Sequence, residues 1–212
     1  MKKSHHVRFG LLCVLTSLAI LLFVACPTDN EITYSIRDIG PAGGYIFYEN
    51  VNYEADGWRY LEAAPAGWNG SPGDPTAIFG YYWNGTAFQT AGTAAEVGSG
   101  ENNTTAIIGN VMYTSNLHNT IASVYAAKMC ADLVLPHDGD DYDDWFMPSK
   151  DELNLMFQNL KQQDLGGFEN FSYWCSTEFS ADSAWNQYFV TGTTNSSALR
   201  SNTFRIRPIR AF

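Results

Sequence analysis

Five aspartates crowd a short stretch of this chain, Asp138, Asp140, Asp141, Asp143 and Asp144, and carboxylates at that density supply the hard oxygen ligands that Ca²⁺ takes. The spacing departs from the helix-loop-helix calcium pattern. Tyr142 stands where an oxygen ligand belongs, Asp143 where the turn glycine belongs, and no Glu closes the loop. A solvated acidic loop is therefore the expectation, with no metal. Glu178 and Asp182 imitate a glycosidase carboxylate pair, but acids four residues apart are ordinary on polar loops. Cys130 or Cys175 beside His118 or His137 would have the residue types of a thiol nucleophile and its base, yet nothing local brings them together. Neither histidine has a second His or a Cys at zinc-ligand spacing. Gly43-Gly44 precedes an apolar, aromatic run and reads as a turn, not as a phosphate loop. These residues predict neither an enzyme nor a cofactor.

What dominates the last third is a different pattern. Aromatic anchors alternate with small polar residues in Asp144-Trp145-Phe146-Met147-Pro148-Ser149, in Tyr173-Trp174-Cys175-Ser176-Thr177-Glu178, in Ala184-Trp185-Asn186-Gln187-Tyr188-Phe189, and in Phe204-Arg205-Ile206-Arg207-Pro208-Ile209-Arg210. Large rings fix a core while Ser, Thr and Asn at loop tips are freely exchanged, which suits a rigid β scaffold presenting a polar binding surface. Arg200, Arg205, Arg207 and Arg210 crowd the C-terminus; they could serve an anionic ligand, but the expectation is that they cover the sheet or pair with the domain's own acids.

At the other end, Lys2, Lys3 and Arg8 precede an apolar run over residues 9–25 that ends in Phe23-Val24-Ala25-Cys26. A charged segment, an apolar segment and a small residue before Cys mark residues 1–25 as a targeting segment. They also resemble a bacterial lipoprotein signal in which Cys26 becomes the lipidated first residue, although Phe23 stands where Leu is usual. The apolar run is short for a stable membrane span, whereas a multiply acylated Cys anchors firmly. Residues 26–34 then form a lipidated Cys and tether, and the expected location is the cell envelope, at the outer membrane or cell surface, with membrane contact through the lipid alone. The whole chain carries 12 Lys plus Arg against 22 Asp plus Glu. Three of the basic residues and none of the acidic ones lie before Cys26, so the mature chain has a net charge of −13. Such a surface opposes nucleic acid. Beyond Cys13 and Cys26, only Cys130 and Cys175 remain, and in an exported protein they could form a disulfide or stay as buried thiols.

The elements that must position these residues form one domain over residues 35–212. Residues 43–49 and 58–63 alternate aromatics and read as a hairpin. Residues 65–100 are rich in small residues with rings interspersed, a packed irregular excursion. Asn103 or Thr104 caps a first helix running to about Met112, and a second spans about residues 119–133. A third opens at Ser149, with Glu152 three residues on as a capping box. Strands follow near residues 172–176, 184–190 and 203–210. This order predicts an α+β domain with an antiparallel sheet, two to three helices and long irregular loops.

Several blocks, in order, carry a resemblance: Gly43-Gly44-Tyr45-Ile46-Phe47-Tyr48, Trp58-Arg59-Tyr60-Leu61-Glu62-Ala63-Ala64-Pro65, Ala126-Ala127-Lys128-Met129-Cys130, the segment from Asp144-Trp145 to Leu153, Tyr173 to Glu178, and Arg205 to Phe212. They resemble the bacterial extracellular domain family shared with the C-terminal domain of the Legionella collagen-like adhesin, with Cys175 where Ser is usual. That family looks related to C-type lectin-like folds, and Tyr173 to Phe212 also resembles the variable region of retroelement-diversified proteins. The resemblance implies a scaffold of Trp174, Ser176, Thr177, Ala184, Trp185, Phe189, Gly192, Arg207 and Arg210. It implies ligand-facing positions at Phe179, Asp182, Ser183, Asn186, Tyr188, Thr191, Thr193, Asn195 and Ser197, where an extracellular protein or glycan would bind in an adhesin-like manner. Adhesins of the family bind glycosaminoglycans, a ligand class that the net charge here opposes. The competing expectations are a structural envelope protein making protein contacts through residues 79–88, and a carbohydrate-active enzyme.

Overall fold

Strand Ser172–Glu178 shows how this sequence builds its core: successive side chains point to opposite faces, and both faces are covered. Tyr173 and Cys175 enter a cluster with Phe47, Leu153, Phe157 and Phe189, while Trp174 between them enters a second cluster with Phe79, Ile107 and Ile206. The computed structural model describes residues 32–118 and 120–212, of which Tyr34–Phe212 form one compact unit. The expected targeting segment, Cys26 and most of the tether lie outside the described residues. Among those described, no helix is long and apolar enough to cross a membrane.

In chain order the elements are β1 (Tyr45–Glu49), α1 (Tyr53–Asp56), β2 (Tyr60–Ala63), β3 (Thr76–Ile78), β4 (Tyr81–Trp83), β5 (Phe88–Gln89), α2 (Gly100–Ile108), β6 (Met112–Tyr113), α3 (Ala126–Ala131), β7 (Leu135–His137) and β8 (Asp140–Tyr142). Then come α4 (Lys150–Asn159), β9 (Ser172–Glu178), β10 (Ser183–Tyr188), β11 (Thr193–Leu199), β12 (Thr203–Arg205) and β13 (Ile209–Ala211). A five-stranded sheet runs β11-β10-β9-β12-β3 and a three-stranded one β1-β2-β13; β5-β4-β6 and β7-β8 form two smaller sheets. Pairing is antiparallel except between β12 and β9. The domain is α+β with mostly antiparallel sheets.

The expected hairpin is β1–β2. Its tightness depends on Gly44, where a Cβ would lie 1.8 Å from the Ala63 carbonyl oxygen. The capping box at α4 is present: Ser149 Oγ accepts from the Glu152 amide, and Glu152 accepts from the Ser149 amide at 2.6 Å.

Other boundaries differ from the sequence expectation. Helix α2 starts before Asn103 and Thr104 and stops at Gly109, so Met112 falls in a strand. Asn103 and Thr104 are buried and act as tertiary ties, Asn103 to Ala94 and Ser176 and Thr104 to Met147. The second helix shrinks to α3, because residues 120–122 run back along β6: Ala122 N–H donates to the Met112 carbonyl at 2.8 Å, and Ile121 bridges Tyr113. With α1 inside the hairpin turn, the described residues form four α-helices instead of two to three. The expected strand over residues 203–210 is two strands. Between them the chain passes from the five-stranded to the three-stranded sheet, and Pro208, which has no N–H to give a ladder, offers its carbonyl to Ala64. The excursion over residues 65–100 contains β3, β4 and β5 and turns several rings inward, with Phe79 and Tyr81 each 1 % exposed.

Candidate functional site

The candidate site is the β9–β10–β11 ribbon and the turns that join it. Its base is held by the C-terminal arginines. Arg207 is 1 % exposed and clamps Asp74 with two bonds of 2.8 Å, while Trp68 Nε1 and Tyr173 Oη donate to the same carboxylate at 2.9 and 2.7 Å. Arg210 grips Asp144 with two bonds of 2.7 Å and reaches Glu62 at 3.4 Å. Arg205 pairs with Glu169 at 2.9 Å. Arg200, fully buried over Phe79, lies 2.9 Å from Glu178 and donates to the Ser180 carbonyl. Every one of the four thus answers an acid of the domain. None of them is left over for an anionic ligand.

The electrostatics follow from that burial. Desolvation raises the Glu62 carboxyl above its ordinary range, against the opposing effect of Gly44 and Ala42 amides and of Arg210. Glu152 is raised by desolvation too, despite the amides of Ser149, Gly98 and Gly100. Desolvation lowers Arg200, with Glu178 opposing. Glu178 accepts from the Ala91 and Gly92 amides at 2.7 and 3.2 Å. It is therefore a brace between the β9–β10 turn and residues 91–93, not an exposed partner for Asp182.

The other chemical groups are dispersed. Asp138, Asp140, Asp141 and Asp143 are exposed on and after the β7–β8 hairpin, and Asp144 is spent on Arg210. Among the described residues no three His, Cys, Asp or Glu are grouped to hold a metal ion. His118 stacks on Trp83 with ring centroids 3.9 Å apart, and His137 lies 3.7 Å from Asp138. Cys130 and Cys175 are free, the buried-thiol alternative of the two left open by the sequence: both are buried, and they belong to separate core clusters. Burial pushes both thiols up, Cys175 to about 12. The Cys175 thiol donates to the Trp185 carbonyl instead.

The scaffold positions Trp174, Ser176, Ala184 and Phe189 are all fully buried, Thr177, Arg207 and Arg210 nearly so, and Trp185 partly. Gly192 closes the β10–β11 turn at φ 79°, and a Cβ there would lie 2.4 Å from the Phe157 ring. Of the nine ligand-facing positions, Phe179, Asp182, Tyr188, Thr191, Thr193, Asn195 and Ser197 are exposed. Phe179 stands 58 % exposed with its ring edge against Trp185. Ser183 and Asn186 correct the expectation. Both are buried, Ser183 bonded to Ser180 and Asn186 donating to the Asn195 carbonyl, so they hold the ribbon and do not face a ligand. Residues with the same exposed character that the sequence pattern missed are Phe171, just before β9, and Thr203 on β12. An aromatic flanked by Asn170 and Ser172 at a strand start was the available signal. Compared with known protein families and with curated proteins, the chain matches none.

Proposed function

We propose that this is a C-type lectin-like recognition domain, carried on a lipid-anchored envelope protein, that binds an extracellular protein or glycan without chemical turnover. The binding surface in this reading is the outer strand β11, the β9–β10 turn and the end of β10. The observation that carries it is the division of labour in the ribbon: seven exposed positions stand on a base whose scaffold residues are buried and whose arginines are internally paired. Substitution at the exposed positions disturbs little of what holds the fold, which is the physical requirement for a binding face that changes specificity. The mostly antiparallel sheets and long irregular connections support the C-type lectin-like reading. The withdrawal of Glu178 into a buried ion pair favours binding over glycoside hydrolysis, which needs two accessible carboxyls.

The test is an array of host-matrix proteins and glycans probed with the parent protein and with a triple variant, Asp182→Ala, Asn195→Ala and Ser197→Ala. Selective binding by the parent that disappears in the variant, at an unchanged melting temperature, is the expected result. Turnover of any arrayed glycan, or equal binding by both proteins, would overturn the reading.

A structural role in the envelope is favoured by one observation of its own. Ile108, Val111, Leu117, Ile121 and Val124 are all at least 40 % exposed within a short stretch around β6, and exposed apolar residues gathered in one region mark protein contacts. Within residues 79–88, Phe79 and Tyr81 pack inward, while Tyr82, Trp83 and Phe88 are half-buried. Concentration-dependent association in sedimentation velocity, abolished by Leu117→Ser and Ile121→Ser, would favour this reading.

A further inference from the structure

Beside the ribbon, at the end of the five-stranded sheet, lies a cavity of about 360 Å³ bordered by Thr76, Phe171, Ser172, Tyr188, Thr203 and Arg205. Its size falls within the range of small-ligand pockets, and its wall is mostly carbon with a few polar groups. Two rings form the rim, Phe171 at 54 % and Tyr188 at 41 % exposure. The register explains why the groups converge. Tyr188 is the cross-strand neighbour of Ser172, and Thr76 that of Arg205, so β10, β9, β12 and β3 each deliver a side chain to the same end of the sheet.

We propose that this cavity binds a neutral pyranose unit of a polysaccharide or glycoprotein glycan; the proposal rests on the recognition reading above and gives it a ligand class. Three features carry it. The exposed rings of Phe171 and Tyr188 on the rim supply apolar surface for the C–H groups of a pyranose, one side of Phe171 being covered by the Arg205 guanidinium. The hydroxyls of Thr76, Ser172, Tyr188 and Thr203 have no hydrogen-bond partner among the described residues, so they are available to sugar hydroxyls as donors and acceptors. The charge is balanced. Arg205 is the cavity's cation, and it is neutralised by Glu169 at 2.9 Å while its guanidinium lies 5.1 Å from the centroid of the Phe171 ring and holds it in place. A balanced pocket in a domain of strongly acidic sequence disfavours sulfated or uronic-acid sugars, which would enter against the field of the whole surface.

The experiment is a calorimetric and fluorescence titration of protein purified from cells expressing the full chain. The probes are mannohexaose, cellohexaose, an oligo-N-acetyllactosamine of the glycoprotein type, and a heparin hexasaccharide as the anionic arm. Binding of at least one neutral probe is expected, with the heparin probe inert. Phe171→Ala and Tyr188→Ala should each weaken it about three- to tenfold. Thr203→Arg, which fills the cavity from an exposed position, should abolish it. Far-ultraviolet circular dichroism and thermal unfolding confirm that each variant is folded. No binding of any neutral probe, or neutral binding that survives Thr203→Arg, overturns the cavity proposal. If the triple variant meanwhile loses an arrayed protein ligand, the recognition reading stands without it. If the parent binds nothing in either experiment, both fall.

Discussion

Around Asp74, polar side chains are turned inward and used up; along β11, they are turned outward and left free. Asp74 gathers Arg207, Tyr173 and Trp68 within one buried cluster, whereas six of the seven residues of β11 are exposed or half-exposed and only Ala198 is buried. The two regions lie in the same small domain and draw on the same residue types. Their difference shows that a polar group here is structural when several backbone or side-chain partners converge on it. It is a recognition candidate when its side-chain bonds are local, as with Asn195 and Ser197, whose side chains bond only within that pair.

The comparison is broken most severely at Asp74. Asp74→Ala leaves a buried guanidinium without its partner and strands the donors of Trp68 and Tyr173. Removing one member of a buried ion pair costs about 3–5 kcal/mol. Chemical denaturation should show a lower midpoint by that amount, and Asp74→Asn, which keeps an acceptor, should recover part of it. An Asp74→Ala protein as stable as the parent would remove the distinction between the regions.

Next is the joint where the exposed ribbon meets the core. Gly192→Ala places a methyl group in a left-handed backbone and against Phe157. Overpacking at such a site costs about 1–3 kcal/mol, far more than any substitution at neighbouring Thr191 or Thr193, whose hydroxyls bond to one another in solvent. Thermal unfolding of the three alanine variants side by side gives the ranking directly.

A third effect is alkaline. The Cys175 thiol ordinarily titrates near 9.0 and is pushed by burial to about 12, and burial raises Cys130 and Tyr173 in the same direction. Each keeps its proton in the folded state after losing it in the unfolded chain. Stability is therefore undiminished below pH 9 and falls as pH rises from 9 towards 12. Cys175→Ser should flatten that decline in a series of pH-dependent melts. Neither thiol should react with an alkylating reagent until the domain unfolds, as peptide mapping would show.

How far the sequence disclosed this arrangement depends on the range over which each signal acts. The capping box at Ser149 and the β1–β2 hairpin were legible, because cap and turn chemistry operate within a few residues. The arginines were legible as a class but not as pairs: Arg207 finds Asp74 and Arg210 finds Glu62 across most of the domain, and no spacing announces that. Ile121 and Val124 suggested a helix by periodicity, yet pairing with β6, only eight to ten residues back, claimed residues 120–122. The burial of Asn186 was hidden for a related reason. Alternation assigns it to a face of β10, but only the presence of β11 at 3.2 Å decides that the face is covered. The cavity at Phe171 and Tyr188 was invisible because four strands far apart in sequence supply its wall.

The smallest effect sharpens the comparison from the exposed side. Asp182, Asn195 and Ser197 are all exposed, and the side-chain bonds of Asn195 and Ser197 stay within two residues. Surface substitutions of that kind lie within about 0.5 kcal/mol of neutral, so the triple alanine variant should denature with the parent. Asn186→Ala differs by one buried donor, and its loss leaves the Asn195 carbonyl short of a partner, a cost of about 1 kcal/mol. Equilibrium denaturation of the two variants therefore separates a residue that holds the ribbon from residues it merely displays, although they stand on adjacent strands. Equal stability loss in both would mean that β11 is itself part of the structural base, and the binding face would then have to be sought at the Phe171 end of the sheet.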